Sequence, residues 1–224
     1  MPSAWSPPPY PARRTLEGRF VRLEPLDHSA HADDLWDTTA SDKAGTGWTY
    51  MVYGPFDTPQ AFDTWLKREC GADDTVYFAF VAASSGRAVG WGSYLRIAPD
   101  DGSIEVGSIQ MSLQLQRTTM ATEALHLMID HVFALGYRRC EWKCDALNAA
   151  SRRAAERLGF SFEGVFRQAT HYKGRNRDTA WYAIVDHEWP RLAAAHTTWL
   201  DPMNFDADGN QVKPLSALIA REFD

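Results

Sequence analysis

The spacing of hydrophobic and polar positions changes several times along the chain, and each change predicts an element. Residues 19–26, RFVRLEPL, alternate apolar and polar and read as a strand. Asp27 or Ser29 caps a helix through residues 31–39, with Leu35 and Trp36 on one side. Asp57-Thr58-Pro59 starts a second helix, which ends at Cys70 before Gly71. Residues 75–82 and 88–97 are rich in β formers and flank Ser84-Ser85-Gly86-Arg87, which predicts a hairpin. After the turn Pro99-Asp100-Asp101-Gly102, residues 103–113 add a third strand. The period then lengthens. Ala121, Leu125, Met128, Ile129, Val132 and Leu135 fall at helical spacing, predicting a helix over 122–135 closed by Gly136. Residues 138–147 return to strand, 148–158 form a short helix stopped by Gly159, and two strands close around Gly174-Arg175-Asn176. This order predicts a mixed α/β sheet with helices on both faces. Beyond Trp189-Pro190 the pattern weakens, and residues 191–224 read as a less regular tail packed back through Trp199, Leu200 and Phe205.

Composition narrows the picture. A chain of 224 residues, 45% hydrophobic, suits one medium domain with appended arms. Residues 1–14 form a proline-rich, extended arm without the charged-then-apolar order of a signal peptide. There is no run of about 18 apolar residues, so no membrane span is expected. The three cysteines, Cys70, Cys140 and Cys144, cannot all pair, which fits reduced thiols and a cytoplasmic location. Cys140 and Cys144 lack a second Cys/His pair, and the DADGN stretch has Ala217 where a calcium loop needs glutamate, so no metal is expected. The net charge of −6 argues against nucleic-acid binding and mildly favours cationic substrates.

The stretch 114–125, QLQRTTMATEAL, carries the most chemistry. A strand ends, a short polar turn follows and an amphipathic helix begins. The first amides of a helix have no internal partner and point out of its positive end, so the turn at 116–121 can seat a pyrophosphate.

This stretch resembles the acyl-CoA motif Q/R-x-x-G-x-G/A of the GNAT superfamily of N-acetyltransferases, with Gln116 first and Ala121 last. A second stretch, NAASRRAAERLGF at 148–160, is similar to the N-x-x-S motif that ends in G-F in the ribosomal-protein N-acetyltransferase (RimJ/RimL-like) branch. The resemblance covers about residues 15–190. It implies a single GNAT-like domain with acetyl-CoA as co-substrate. The backbone of Ile109 and Met111 would pair with the pantetheine arm where strand 103–113 splays from strand 138–147. The amides of Arg117, Thr118, Thr119, Met120, Ala121 and Thr122 would hold the pyrophosphate. Asn148 would meet the pantetheine or its thiol end, and Arg117 or Arg152 the 3′-phosphate. One residue departs from the motif: Thr119 stands where the central glycine belongs, and glycine there allows positive φ and close approach to phosphate.

Acetyl transfer to an amine needs a neutral nucleophile. At pH 7 that costs about 4.6 kcal/mol for a lysine amine of pKa about 10.4, and about 1 kcal/mol for an N-terminal amine of pKa about 7.8. A general base therefore matters more for the first class. Glu105 is the candidate, because the histone-acetyltransferase branch carries a catalytic glutamate at the matching strand position. On a regular strand its side chain would share a face with Gly107, Ile109 and Met111. The tyrosine acid common in the superfamily falls at Ala155 here, and Ser151 is the substitute. Cys144 reads as a core thiol, and the basic segment 171–177 as a solvated turn that could touch an acidic substrate. Trp48, Tyr50 and Tyr53 precede the second helix and either line the acceptor pocket or pack. The expected function is an N-acetyltransferase acting on a small or peptide amine, including a ribosomal or other protein N-terminus. The alternatives are an acyl-CoA binder with little transfer and a plain interaction module. Neither membrane nor nucleic acid is an expected partner, and a homodimer stays open.

Overall fold

The computed structural model describes residues 5–221. The first four residues of the proline-rich arm and the last three of the tail lie outside the described residues. Short polar side chains start the first two helices as the sequence predicts. Asp27 accepts from the Ala30 amide to cap α1 (His28–Ala40), and Thr58 accepts from the Ala61 amide to cap α2 (Pro59–Cys70).

The strands are β1 (Leu16–Glu17), β2 (Val21–Pro25), β3 (Val76–Ala82), β4 (Ala88–Ala98), β5 (Ser103–Met111), β6 (Arg139–Asp145), β7 (Ser161–Tyr172) and β8 (Arg175–Val185). They form one sheet in the order β1-β2-β3-β4-β5-β6-β8-β7. All neighbours are antiparallel except β5 and β6. A parallel pair needs a crossover, which α3 (Thr119–Ala134) supplies. The β7–β8 turn is one residue tighter than the sequence suggests. Lys173 and Gly174 both have positive φ, 47° and 74°, as a two-residue turn between twisted strands requires.

Each face of the sheet buries its own cluster. On one face, Phe78, Phe80, Tyr94, Ile104 and Val106 pack with Leu125, Met128, Ile129 and Val132 of α3. On the other, Tyr77, Ala79, Val81 and Trp91 pack with Trp48, Phe62, Trp65 and Leu66 under α1 and α2.

Two regions differ from the sequence reading. The tail is regular: Trp189-Pro190 opens α5 (Trp189–Leu200) and Leu215 opens α6 (Leu215–Arg221). Proline in the first turn interrupts no helical hydrogen bond, so the pair starts a helix instead of ending an element. Trp189, Leu192, His196 and Trp199 recur at helical spacing and are buried. The proline-rich segment is tied to the body over its described part. Tyr10 donates to the Asp73 carbonyl (2.9 Å), and Tyr137 donates to the Pro9 carbonyl (3.3 Å).

Candidate active site

β5 and β6 separate early. They pair only at Ser103–Arg139, Ile104–Cys140 and Glu105–Glu141, after which β6 runs on beside β8 and β5 beside β4. From Val106 to Met111 that edge of β5 has no strand beside it among the described residues, and Glu105 stands where the fork opens. A bulge sits within the free stretch. Between Trp91–Gln110 and Ser93–Gly107 the register shifts by one, and Ser108 has a φ of 49°. The extra residue resets the alternation of side chains. Ile109 and Met111 therefore pack against the cluster that holds Ile104 and Val106, while Glu105 and Gly107 point to the opposite face. The expectation that Glu105 shares a face with Ile109 and Met111 is thus corrected.

The polar turn lies at the far end of β5. Its helix begins at Thr119, three residues before the expected Thr122, because Thr118 caps it by accepting from the Ala121 amide (3.1 Å). Two of the six amides expected to face a phosphate are therefore spent, since Thr122 donates to the Thr118 carbonyl. Among the described residues, the amides of Arg117, Thr118, Thr119 and Met120 have no hydrogen-bond partner. The left-handed residue of the turn is Arg117, with φ 62°, and Thr119 lies in the helix. The threonine at the glycine position therefore demands no unusual backbone. Gln116 donates its Nε2 to the Met111 carbonyl (3.0 Å), tying the turn to the end of β5. Thr118, Thr119 and Met120 line an open cleft of about 520 Å³ with Arg19 and Phe20.

At the fork, charge is buried. Glu105 is 3% exposed, and its Oε2 meets both Arg96 (2.6 Å) and Lys143 (3.1 Å), leaving Oε1 beside Gly107. Lys143 also meets Glu141 (2.6 Å) and lies over the Trp181 ring (3.8 Å). Burial pushes the Glu105 carboxyl above its ordinary range, against the pull of Arg96 and Lys143. Burial would also raise Glu141, but hydrogen bonds from Lys143 and Arg139 hold it below its ordinary range.

The other wall is α4 (Ala149–Arg157), which follows β6. Asn148 caps it, its Oδ1 accepting from the Ser151 amide (3.1 Å). The Ser151 hydroxyl accepts from the Trp142 indole (2.9 Å), which leaves its own hydrogen free to donate. Cys144 lies within hydrogen-bonding reach of that hydroxyl, its thiol pushed up by burial. Arg152 is held elsewhere: Nε donates to the Tyr182 hydroxyl (3.0 Å), and the guanidinium covers the Phe162 ring. The structure does not bring Arg152 to the turn. Arg157 is there instead, donating to Thr122 Oγ1 (3.1 Å) and lying over the Trp199 ring. Both partners are distant in sequence, so the local pattern gives no signal for them.

The three aromatics before α2 divide. Trp48 and Tyr53 pack in the aromatic cluster, where Tyr53 accepts from the Trp91 indole (3.1 Å) and donates to the Ser108 carbonyl (3.4 Å) at the bulge. Tyr50 reaches across the fork and donates to the Leu147 carbonyl (3.1 Å). Among the described residues no three His, Cys, Asp or Glu side chains converge as a metal would require, and no helix is long and apolar enough to cross a membrane.

The chain as a whole is similar to known proteins. A family model for the GNAT acetyltransferase domain matches residues 21–161. The chain is similar to a GCN5-related N-acetyltransferase from Brucella melitensis, with 45% identity and a TM-score of 0.95 over 96% of this chain and 98% of that one. A GNAT-family chain from Chromobacterium violaceum is 40% identical, with a TM-score of 0.80 over 85% of this chain and 95% of that one. A Salmonella typhimurium acetyl transferase that modifies the N-terminal serine of ribosomal protein L7/L12 shares the fold, at 19% identity and a TM-score of 0.66 over 76% of this chain and 98% of that one. No curated protein matches the chain.

Proposed function

The chain belongs to the GNAT acetyltransferase family, and from that premise we propose that it moves an acetyl group from acetyl-CoA to a primary amine by direct attack within a ternary complex. The carrying observation is the fork: a free β5 edge that begins just past Glu105 and leads to four unpartnered amides of the α3 turn. These suit the coenzyme's amide-bearing arm and its pyrophosphate respectively. Ile109 and Met111 would hold the first, and Arg117, Thr118, Thr119 and Met120 the second. When bound, acetyl-CoA supplies the activated acyl group.

The chain's own residues supply the rest. Glu105 Oε1, clear of both ion pairs, takes the proton from the acceptor amine. The raised carboxyl makes it a better base than an exposed glutamate. Ser151, oriented by Trp142, donates a hydrogen bond to the departing sulfur. Asn148 fixes the first turn of α4, on which Ser151 stands. Asn148 followed by Ser151, with Ala155 in place of the tyrosine acid, supports the RimJ/RimL-like branch.

Thermal melting with acetyl-CoA, followed by thiol release with a panel of amines and product masses, tests this reading. The expected result is a rise in melting temperature and a product heavier by one acetyl group. No shift at millimolar acetyl-CoA contradicts it.

A further inference from the structure

Beside the buried ions, β8 continues the same sheet face with Arg177, Thr179 and Trp181 at alternate positions. The register there is regular, with Asp145 opposite Thr179 and Lys143 opposite Trp181. Two of these side chains end in donors with nothing to donate to: Arg177 Nε and Trp181 Nε1 are buried without a partner among the described residues. Leaving a buried donor unsatisfied costs about 1–3 kcal/mol. Both groups are donors only, so an acceptor-rich partner satisfies them.

The charges near the hairpin turn give the sign of that partner. Lys173 donates to the Trp48 carbonyl (2.7 Å). Arg175 pairs with Asp145 (2.6 Å), which also accepts from the Tyr172 hydroxyl (2.7 Å) and the Leu147 amide (2.9 Å). Arg177 lies against the Tyr172 ring, 5.7 Å away, with Arg175 at 4.9 Å from the same ring, and it pairs with no carboxylate among the described residues. The surplus cation shares its face of β8 with Trp181, which stands opposite Lys143, and Lys143 meets Glu105 (3.1 Å). A net charge of −6 points toward cationic substrates, whereas the local surface is the opposite.

We propose that Arg177, with Arg175 and Trp181 beside it, recognises the acceptor, and that the acceptor is an amine carrying a carboxylate: an amino acid or the acidic start of a peptide. Arginine presents a planar fork of donors that matches a carboxylate and not an amide. The inference rests on the transferase reading of the fork and names the substrate class of that site.

The test uses matched acceptors on the full chain. Ala-Glu-Ala-amide, Ala-Gln-Ala-amide and Ala-Lys-Ala-amide share one N-terminal amine, while free alanine and alanine amide, which differ only in the α-carboxylate, form the small-molecule arm. The carboxylate member of at least one arm (Ala-Glu-Ala-amide, or free alanine) is expected to have a kcat/KM about tenfold above its amide partner (Ala-Gln-Ala-amide, or alanine amide), and the arm that shows it separates peptide from metabolite. Arg177→Gln is expected to collapse that preference to less than about threefold, whereas Arg68→Gln on the α2 surface makes the same charge change and keeps it. Equal use of both members in both arms, or survival of the preference in Arg177→Gln, overturns the inference. Calorimetric binding of the same compounds reads the preference even without transfer. Discriminating binding with no thiol release from any amine supports this inference and sinks the transferase reading alone.

Discussion

The sheet face that lies on the α1 and α2 side is aromatic over β3 and β4 and ionic over β5, β6 and β8. In the aromatic half, Trp48, Phe62, Trp65 and Trp91 are buried and touch at ring distances such as 5.3 Å for Trp65–Trp91. In the ionic half, Glu105, Glu141 and Lys143 are buried together, and Arg177 and Trp181 hold unpartnered donors. Aromatic burial is strongly favourable. Buried ions lose hydration that their attraction only partly returns, and well-packed apolar replacements are often no worse for stability. One half of the face holds the fold together; the other keeps chemistry that the fold alone does not need.

The largest break in this contrast is expected at Trp91. Trp91→Ala removes a side chain 1% exposed at the centre of the aromatic half and should cost about 4 kcal/mol in denaturant unfolding. A cost under about 1 kcal/mol would mean the cluster is not the stabilising half. Lys143→Met comes next: it removes the cation that Glu105 and Glu141 share, leaving each with one arginine, and should cost about 3 kcal/mol at neutral pH. Adding Glu105→Gln and Glu141→Gln to it should recover most of that stability while transfer is lost. If the triple variant stays as unstable as the single one, the ions serve the fold after all.

Glu105→Gln sharpens the contrast from the functional side. Turnover should fall about 100-fold at pH 7 and less at about pH 9, where more of the acceptor amine is already neutral. Because burial raises the carboxyl, the wild-type rate should begin to fall at a higher pH than an exposed glutamate would dictate as acid is added. A Glu105→Gln profile parallel to wild type across that range counts against the base. The smallest effect concerns the turn. Arg117→Gly relieves a left-handed residue and should raise stability by about 1 kcal/mol in thermal melting. A loss there would mean that the Arg117 side chain holds the turn.

Much of this frame was legible in the residues. The order of strands and helices follows from period changes, and the fork follows from the resemblance at 114–125 and 148–160. Other features depend on contacts that no local pattern records. Nothing in SIEVGSIQM marks a bulge at Ser108, whose carbonyl is met by Tyr53 from the distant segment before α2. By sequence Thr119, at the motif's glycine position, is the awkward residue of the turn, yet capping by Thr118 places it in the helix, and the left-handed conformation falls at Arg117. Trp189-Pro190 read as an ending because proline stops helices in their interiors, although it also opens them. Arg157 meets Thr122 of α3 and the Trp199 ring of α5, two segments distant from it in sequence.

Amide hydrogen exchange with and without acetyl-CoA tests the central claim most directly. The account predicts that protection rises along Ile109–Met111 and at Arg117, Thr118, Thr119 and Met120, with the aromatic half unchanged. Acetyl-CoA binding that leaves those amides as exposed as before, or protects a different surface, would contradict the fork as the coenzyme's seat.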